Sequence, residues 1–590
     1  GEARPVGPEG WIRETSPPKT ALPRPIDEPL LERLRIPKGS WGALLRVRTE
    51  EELLGAPVSP AHVEAVVDAL YGRPPEEAAA QPDLVVDGAE DLIRYREGGL
   101  LGFLLRLSPA QERFVGWAVN AKGPTLLKGG PGTGKSTVAL RRVPVFLAAL
   151  RAAGVASPRL LFTTYTRALT RVSEQLLGQL LSPEDRQAVE VSTADAVAMR
   201  LYRQATGGER PTFLPAGERR PLMEACRETA VLDGNALEVA SQRRTLDRLG
   251  PSYLWEEVTG VIEGRGITSL DEYLAAPRPG RREPLGAMQR RAVWALRERM
   301  RALLDERGLA IWEDVRNRAL AYAAAHPDAL AYDAVLIDEA QDLQPVALRL
   351  LVAVCRRPER LFLTADANQS IYGGAFRWAD VHEGLRFAGR TGTLRGNFRS
   401  TREIARAARQ VLVHGGGGLD EELDDEAFHG GPLPVARQVA AEADEAELLV
   451  RFIWGASREL RLATGSAAVL CPSNEAARRI AEALRGRDLP AQYAKPGEID
   501  LTAPGVKVLT LKSAKGLEFP IVALAGFLDG PFPALPKDLP EEGRAEAADR
   551  ERRTLYVAMT RAMRALMVVV PEGRPSPLLQ AFDPDLWNLG

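Results

Sequence analysis

Short runs of apolar residues alternate with stretches of helical spacing along most of this 590-residue chain. Continuous apolar runs of this kind are typical of parallel strands that are buried on both faces. The runs fall into two series, so the pattern predicts an α/β protein with two parallel sheets. The first series lies at 159–163, 334–338 and 361–364, and the second at 467–470, 506–511, 521–524 and 566–570.

A long stretch between the early and late strands of the first series has no strand-like run. Residues 203–325 show helical spacing instead, which predicts a helical insertion. Residues 1–100 begin with many prolines and continue with helical spacing, which predicts a mostly helical N-terminal extension. The expected domains are therefore the extension 1–100, a first α/β domain from 101–202 and 326–385, the insertion 203–325, a second α/β domain 386–575 and a tail 576–590.

The composition is that of an ordinary folded protein, with 45% hydrophobic and 26% charged residues. Lysine and arginine (77) nearly balance aspartate and glutamate (79), so any nucleic-acid surface must be a local patch. The three cysteines are far apart, which argues against a disulfide framework or a cysteine zinc site and favours a reducing cytoplasm. No apolar run approaches the ~18 residues of a membrane helix. The chain begins with Gly1 rather than methionine, which leaves room for a segment upstream.

A glycine-rich motif lies between the apolar residues 124–127 and a helical stretch. It fits the phosphate-binding pattern G-x-x-x-x-G-K-[ST] and reads Gly129-Gly130-Pro131-Gly132-Thr133-Gly134-Lys135-Ser136. In such a loop, backbone N–H groups surround the phosphates, Lys135 reaches the β- and γ-phosphates and the Ser136 hydroxyl binds Mg²⁺. A glycine-rich turn is the alternative for the motif alone. Its position between a strand and a helix favours a nucleotide site.

Two carboxylates follow the apolar run that ends at Ile337. In the segment Ile337-Asp338-Glu339-Ala340-Gln341-Asp342 they emerge at the carboxyl end of a strand, where α/β sheets bind ligands. Asp338 is placed to hold Mg²⁺, and Glu339 to accept a proton from the attacking water. Acidic residues in such a position would by themselves more often cap a helix. Together with the phosphate loop they predict an ATPase site.

Further motifs follow the order seen in one helicase family. From about Ser108 to Ala565 the chain resembles the superfamily 1 helicases of the UvrD/PcrA/Rep family. The resembling segments are Ser108–Gln111 (the Q motif), Thr164–Arg167 (Ia), Ser192–Asp195 (Ib), Ala365–Tyr372 (III), Leu394–Ser400 (IV), Val508–Phe519 (V) and Glu551–Ala562 (VI). The resemblance implies two RecA-like domains of the P-loop NTPase type, 1A and 2A, with ATP bound between them and the helical insertion as subdomain 1B.

The resemblance also implies which residues bind and hydrolyse ATP. Gln111 would read adenine through its amide, Phe398 would stack on adenine, and Glu518 would hold the ribose. Gln369 and Arg399 would contact the γ-phosphate, and Arg561 would act as a second arginine finger. The expected cofactor-binding residues are Gln111, Gly130, Pro131, Gly132, Thr133, Gly134, Lys135, Ser136, Thr137, Arg142, Phe398, Gly516 and Glu518. The expected catalytic residues are Lys135, Asp338, Glu339, Gln369, Arg399 and Arg561, and the expected metal ligands are Ser136 and Asp338.

Residues expected to contact DNA come from motifs Ia, Ib, III and V. They are Thr164, Tyr165, Thr166, Arg167, Thr193, Tyr372, Trp378, Thr510 and Lys512. The chain departs from the family after motif III, where Tyr-x-Trp-Arg is replaced by Tyr372-Gly373-Gly374-Ala375-Phe376-Arg377-Trp378. The base-stacking aromatic is then Trp378 or Phe376, with a core position for Trp378 as the alternative. Lys512 stands where the family has histidine and is placed to meet a backbone phosphate.

The gap between Tyr493 and Val506 lies where the family inserts subdomain 2B. No domain fits there, because domains need ~50 residues or more. The resemblance therefore implies a short family member, an ATP- and Mg²⁺-dependent motor that moves 3′→5′ on single-stranded DNA and on 3′-tailed duplexes. We expect a cytoplasmic monomer. The alternatives are a nucleotide-switched protein that grips a partner such as RNA polymerase through its N-terminal extension, and a motor that moves on RNA.

Overall fold

The computed structural model describes most of the chain from residue 107 onward and parts of the N-terminal extension. The described residues are 22, 25–33, 36–49, 52–53, 56–58, 62–63, 66, 105, 107–130, 132–278, 281–366, 378–395, 400–413, 430–495, 498–501, 503–573, 576–579 and 582–589. In the extension, helices α1 (Glu28–Arg33) and α2 (Lys38–Leu44) contribute to a small apolar core of their own. Leu31 and Leu44 in this core are fully buried.

The first sheet contains six parallel strands, in the spatial order β3 (Val189–Thr193), β2 (Leu160–Thr164), β6 (Ala334–Ile337), β7 (Leu361–Asp366), β1 (Thr125–Gly129) and β8 (Thr391–Leu394). All five residues of β2 are buried, which explains why its run is apolar without alternation. The early elements of this domain are, in chain order, α3 (Pro109–Glu112), β1 (Thr125–Gly129), α4 (Lys135–Ala152), β2 (Leu160–Thr164), α5 (Arg167–Leu180), α6 (Pro183–Gln187), β3 (Val189–Thr193) and α7 (Ala194–Ala205).

The insertion is mainly helical and has its own apolar core around Leu246, Val293 and Met300. Two strands of two residues each pair in parallel within it, although the sequence pattern predicts none. Runs this short carry no recognisable period. The elements are β4 (Thr212–Phe213), α8 (Arg219–Thr229), α9 (Ala236–Glu256), a π-helix (Glu257–Ile262), α10 (Leu270–Ala275), α11 (Ala287–Glu306) and β5 (Leu309–Ala310).

The chain then returns to the first sheet through α12 (Trp312–Ala325), which packs against α7 and belongs to the core of that domain. The following elements are β6 (Ala334–Ile337), α13 (Pro345–Ala353), β7 (Leu361–Asp366), α14 (Trp378–Val381) and β8 (Thr391–Leu394). Strand β8 pairs with β1, so the first sheet extends beyond the boundary predicted at residue 385. Its alternating burial on an edge strand explains why it lacks a continuous apolar run.

The second sheet also contains six parallel strands, in the spatial order β11 (Ala491–Tyr493), β12 (Val506–Thr510), β10 (Ala467–Cys471), β13 (Phe519–Leu524), β14 (Ala562–Pro571) and β9 (Val435–Val439). Two six-stranded parallel sheets confirm the predicted α/β fold with two RecA-like domains. The elements are α15 (Arg402–Val413), β9 (Val435–Val439), α16 (Glu442–Leu460), β10 (Ala467–Cys471), α17 (Asn474–Arg485), β11 (Ala491–Tyr493), β12 (Val506–Thr510), β13 (Phe519–Leu524), α18 (Glu541–Met559) and β14 (Ala562–Pro571).

The C-terminal residues pack on this second domain, although the sequence predicts a separate tail from residue 576. The indole of Trp587 is buried and donates a hydrogen bond to Gln410 at 3.0 Å. The carbonyl of Asn588 accepts from the Ala436 N–H in β9 at 2.9 Å. Burial of Trp587 therefore makes this segment part of the domain's core.

None of the helices in the described ranges combines the length and apolarity needed to cross a bilayer. The arrangement of strands matters more for the site. Strands β6, β7 and β1 are neighbours in the first sheet, so their carboxyl ends lie side by side. The phosphate loop follows β1, and Asp338 follows β6. Asp366 is the last residue of β7.

Candidate nucleotide cleft between the two sheets

The phosphate loop joins β1 to the first turn of α4. Gly132 and Gly134 have φ values of 75° and 82°, a region that glycine adopts without a steric penalty. A Cβ on Gly134 would lie 2.2 Å from the Gln111 side chain, so glycine is also needed for this close approach. The buried Lys135 ammonium donates to the carbonyls of Gly129 and Gly130, both at 2.9 Å. Its charge is therefore held inside the loop, where phosphates would bind.

Gln111 supports the phosphate loop through hydrogen bonds of its side-chain amide. Its amide nitrogen donates to the Thr133 carbonyl at 2.8 Å, and its amide oxygen accepts from the Ser108 N–H at 2.7 Å. Thr133 in turn donates through its hydroxyl to the Gly130 carbonyl at 2.9 Å. Gln111 is buried, and both ends of its amide are engaged within the protein. Its expected role as the adenine reader would require these bonds to change.

Arg142 does not line the cleft, although the resemblance suggests a role in cofactor binding. It lies two turns into α4, is fully buried, and donates to the carbonyls of Phe114 and, at 2.8 Å, Trp117. Its guanidinium also lies 4.3 Å from the centre of the Phe362 ring. Burial lowers the pKa of Arg142 to about 10. These contacts anchor the segment after α3 to the sheet, while Thr137 is buried in the first turn of the same helix.

The two carboxylates after β6 have different environments. Burial raises the pKa of Asp338 to about 6, and the neighbouring Glu339 charge adds to this, while hydrogen bonds from Thr364 and Ser136 oppose it. Burial alone would also raise the pKa of Glu339, but Lys135 and other nearby cations lower it below its ordinary value. The pKa of Glu339 is therefore the lower of the two, and its carboxylate is ionised at neutral pH, as a proton acceptor must be.

Glu339 is held in place by hydrogen bonds to residues that follow β6 and to residues of β7. Its φ of 54° is uncommon for a residue with a side chain, and its N–H donates to the Thr364 hydroxyl at 3.1 Å. The Gln341 amide nitrogen donates to the Glu339 carboxylate, and the Gln341 amide oxygen accepts from the Asp366 N–H at 3.1 Å. The Gln341 amide thus joins the carboxylate after β6 to the end of β7.

The second domain contributes the opposite wall. Arg561, just after the end of α18, is buried, and its Nε donates to the Val557 carbonyl at 2.9 Å. Burial lowers the pKa of Arg561, although Glu339 and other acids across the cleft counteract this. Gly516 has a φ of 77° and packs so closely on Leu169 of α5 that a Cβ would lie 2.6 Å from its side chain. The second domain therefore meets the first at Gly516.

These walls line a cleft between the two sheets. Its lining residues are Gly132, Gly134, Lys135, Ser136, Glu339, Asp366, Lys515, Gly516, Glu518, Val557 and Arg561. Pro131, Gln369, Phe398 and Arg399, which the sequence also assigns to the ATP site, lie outside the described residues.

Sequence reasoning missed four of the residues that shape this cleft, namely Gln341, Asp366, Lys515 and Val557. Lys515 is the most informative of them. It comes from the second domain and forms an ion pair of 2.6 Å with the buried Asp342 of the first domain. Its ammonium also lies 5.6 Å from the centre of the Tyr165 ring. The charge of Lys515 beside Gly516 is visible in the sequence, but its partner could be found only in the fold.

The residues expected to contact DNA occupy several environments. Tyr165 is 46% exposed and Arg167 is exposed, both after β2. Thr164 is fully buried and bonded to Thr170 at 3.2 Å, so its side chain cannot contact a strand as expected. The hydroxyls of Thr166 and Thr193 accept from backbone N–H groups and cap α5 and α7.

In the second domain, Lys512 is exposed and pairs with Glu551 at 2.9 Å. Thr510 lies beside it and shares a hydrogen bond of 2.7 Å with Ser513. In the first domain, the half-buried Trp378 packs on the apolar core, with its ring edge-on to Phe387. This favours the core alternative for Trp378, while Tyr372 lies outside the described residues.

A second cleft lies beside Tyr165 where the insertion meets the first domain. Phe213 and Trp312 stack at 4.6 Å in its wall, and Trp255 carries the Arg219 guanidinium at 5.3 Å from its ring centre. Asp195, which stands at the Ib position, forms a bidentate pair with Arg316 at 2.7 and 2.9 Å. Aromatic and charged side chains therefore line a groove that is continuous with motif Ia.

Family models match two parts of the chain. A model described as an AAA domain matches residues 111–375, and a model described as the UvrD-like helicase C-terminal domain matches residues 492–572. The two matches include both walls of the nucleotide cleft.

Curated relatives point in the same direction. The chain is 25% identical over 383 residues to the ATP-dependent DNA helicase PcrA of Leuconostoc citreum, covering 62% of this chain and 47% of that protein. It is 27% identical over 410 residues to the ATP-dependent DNA helicase UvrD1 of Mycobacterium tuberculosis, covering 65% and 49%. It is 44% identical over 84 residues to DNA helicase II of Escherichia coli, covering 14% and 11%. The chain spans about half the length of the first two relatives.

Proposed function

We propose that the chain is a UvrD/PcrA-type superfamily 1 helicase, an ATP-dependent motor that moves 3′→5′ on single-stranded DNA and unwinds duplexes; the matched family models and curated relatives support this. The observation that carries the proposal is the composition of the nucleotide cleft. Lys135 and Glu339 stand on one domain, while Lys515 and Arg561 stand on the other. Hydrolysis would therefore depend on how closely the two domains approach.

The chemistry at this cleft follows from the charges that face it. Lys135 would bind the β- and γ-phosphates, and Glu339 would take the proton of the attacking water. Arg561 would stabilise the charge that develops on the transferred phosphoryl oxygens. Gln369 and Arg399 are proposed for the γ-phosphate from the family pattern. Gln111, Phe398 and Glu518 are likewise proposed for the base and ribose of ATP.

Ser136 and Asp338 are proposed as the protein ligands of Mg²⁺. A hydroxyl and a carboxylate oxygen are ligands that this hard cation prefers, and here they already share a hydrogen bond beside the phosphate loop. Burial and the neighbouring Glu339 charge raise the pKa of Asp338, and a bound cation would favour its ionised form. When bound, Mg²⁺ neutralises charge on the β- and γ-phosphate oxygens.

The DNA track is proposed on the face formed by Tyr165, Arg167 and Lys512. Tyr165 is exposed, and the aromatic groove with Trp255 and Trp312 continues from it. Aromatic surfaces of this kind stack on bases without sequence preference, and exposed cations neutralise the backbone. Lys515 lines the ATP cleft and also contacts Tyr165, so a change at the nucleotide would alter the position of a side chain beside the proposed DNA track.

Residues 494–505 join the paired strands β11 and β12. A connection of this length leaves no room for a subdomain, so we propose a monomeric motor without 2B. The N-terminal extension is proposed as the place where a protein partner would bind.

The test of this function compares ATP turnover with single-stranded DNA, with RNA and without nucleic acid. If the chain is a motor on DNA, single-stranded DNA should strongly stimulate ATP turnover. Absence of stimulation by either nucleic acid would favour the nucleotide-switched binding protein, and stimulation by RNA alone would assign the other track. Forked substrates with a 3′ or a 5′ tail then decide polarity, since unwinding only from the 5′ tail would contradict the family-derived direction.

A further inference from the structure

Helix α18 of the second domain touches two distant parts of the protein. Its C-terminal end leads to Arg561 in the nucleotide cleft. Its first half and the residues before it lie against the insertion of the first domain. From this region, Leu539 and Ala547 pack into the apolar core of the insertion and are nearly fully buried there. At 1.5 Å per residue, about 20 Å of helix separates Glu546 from Met559.

The backbones approach closely at this contact. Gly250 interrupts α9 with a φ of 72°, and a Cβ at this position would lie 2.3 Å from the Asp538 carbonyl oxygen. After the kink, the N–H and hydroxyl of Ser252 donate to the Asp538 carboxylate at 2.9 and 3.0 Å. Burial would raise the pKa of Asp538, but these bonds and Arg220 lower it, so it remains charged at neutral pH. Glycine at 250 is therefore required by the contact itself.

The second group of contacts centres on the buried Glu546. Its carboxylate pairs with Arg281 at 3.2 Å and accepts the backbone N–H groups of Arg282 and, at 3.3 Å, Glu283. One turn further on, Asp549 pairs with Arg282 and Arg550 pairs with Glu256 at 2.7 Å. These charges come from both sides of the contact.

The insertion side of this contact is rigid. Glu257 is fully buried and pairs with Arg278 at 2.6 Å and with Arg281 at 3.0 Å. The Tyr273 hydroxyl also donates to Glu257 at 2.8 Å. Arg281 is thereby held in place from behind while it reaches Glu546. Such a buried charge network contributes little net stability, but it fixes geometry.

The contact spans the two halves of the nucleotide cleft. The insertion is continuous with the first domain, because the chain leaves through α7 and returns through α12, which pack on each other in the core of that domain. Helix α18 belongs to the second domain and ends two residues before Arg561. A change in the angle between the domains must therefore shift or break the contact, and a firm contact must hold Arg561 in the cleft.

We propose that this contact is an interdomain latch, formed by Ser252, Arg281 and Arg282 on the insertion and by Asp538, Glu546 and Asp549 on the second domain. Glu546 and Asp538 are positioning residues that keep Arg561 at the nucleotide through α18. The inference rests on the proposed ATPase activity. Loss of the latch lowers kcat, because the arginine is then present at the phosphate for less of the time. Nucleotide affinity falls less than kcat, because the phosphate loop belongs to the first domain and stays in place.

The test uses the full chain with Glu546→Gln, Asp538→Asn and the double variant. The matched control is Glu306→Gln, which removes an exposed ion pair with Arg299 that lies wholly within the insertion. We expect kcat for ATP to fall roughly 10- to 100-fold in the double variant, as for a misplaced catalytic group. Nucleotide affinity, measured with a fluorescent ATP analogue, should fall by a smaller factor than kcat. Unchanged kcat in the folded double variant, or an equal loss in the control, overturns the proposal.

A readout that does not depend on turnover separates this proposal from the proposed function. The three native cysteines are buried, so spin labels can be directed to Leu237→Cys on the insertion and Glu482→Cys on the second domain, both at exposed positions. The latch predicts one narrow interdomain distance, which broadens with Glu546→Gln and stays narrow with Glu306→Gln. An unaltered chain without ATPase activity would remove the proposed function, whereas an unchanged distance distribution in Glu546→Gln would remove the latch. If Glu546→Gln does not fold, Asp538→Asn alone carries both measurements.

Discussion

Individual residues at the nucleotide cleft depend on close partners for their chemistry. Glu339 stays ionised beside a second carboxylate because Lys135 and Arg561 face it, while Asp338 is surrounded mainly by hydroxyls. The left-handed backbone of Glu339 costs of order 1–3 kcal/mol. In that conformation the Glu339 N–H donates a hydrogen bond to the Thr364 hydroxyl. A local strain of this kind at the end of a buried strand is consistent with a position selected for catalysis.

We predict that Lys135→Ala and Glu339→Gln separate nucleotide binding from turnover. The first variant removes a phosphate contact and should abolish ATP binding. The second keeps the shape of the side chain but removes its basicity, so binding should survive while turnover falls by about 10²-fold or more. A fluorescent ATP analogue and a phosphate-release assay measure the two quantities. Equal loss of binding in both variants would contradict the assigned roles.

We also predict a smaller effect for Gln341→Ala. The amide joins the Glu339 carboxylate to the Asp366 backbone, so its removal should leave the base mobile and lower kcat by roughly 10-fold, with nucleotide affinity retained. Gln344→Ala is the matched control, because this glutamine lies on the same loop but contacts Arg316 and Glu313 instead. An equal effect in both variants would indicate loss of loop structure rather than of the amide link.

At the scale of elements, the aromatic side chains near the track have separate duties. Trp378 on α14 packs edge-on to Phe387 in the core, whereas Tyr165 after β2 is exposed. We predict that Trp378→Ala lowers the free energy of unfolding by about 1–3 kcal/mol, since a half-buried ring is lost, with DNA affinity preserved. Tyr165→Ala should weaken single-stranded DNA binding by ~1–3 kcal/mol at nearly unchanged stability. Thermal unfolding and fluorescence anisotropy measure both, and a DNA defect in Trp378→Ala would restore it as the displaced stacking residue.

Elements with continuous apolar runs were predictable from the sequence, because burial on both faces leaves no room for polar alternation. β6, β10 and β13 are of this kind. Edge strands such as β8 and β11 escaped prediction, since each pairs on one side only and is partly exposed. The phosphate loop and Glu339 were readable because each lies in a local motif. Contacts between distant segments, such as Lys515 with Asp342, depend on how the two domains meet and leave no local pattern.

At the scale of the whole molecule, a net charge of -2 coexists with a proposed polyanionic partner. Exposed cations such as Arg167 and Lys512 must then act locally, against a chain that is neutral on average. The short connection between β11 and β12 bears on the same question, because the proposed absence of subdomain 2B would leave less surface with which to grip a duplex. We therefore expect the affinity for single strands and the opening of long duplexes to be limited by different features of the molecule.

We predict that DNA affinity falls steeply with salt, with a slope of about 0.7 per phosphate contacted in a plot of log affinity against log salt concentration, because binding releases counterions. Unwinding of 3′-tailed duplexes should decline as the duplex lengthens, while ATP turnover on the same substrates stays constant. Weak duplex grip accounts for this, since the motor continues to step on its tail when the junction recloses. Strand separation and phosphate release, followed together on a series of duplex lengths, check it. A parallel fall of both with length would place the limit in the ATP cycle, and separation without ATP would contradict a motor altogether.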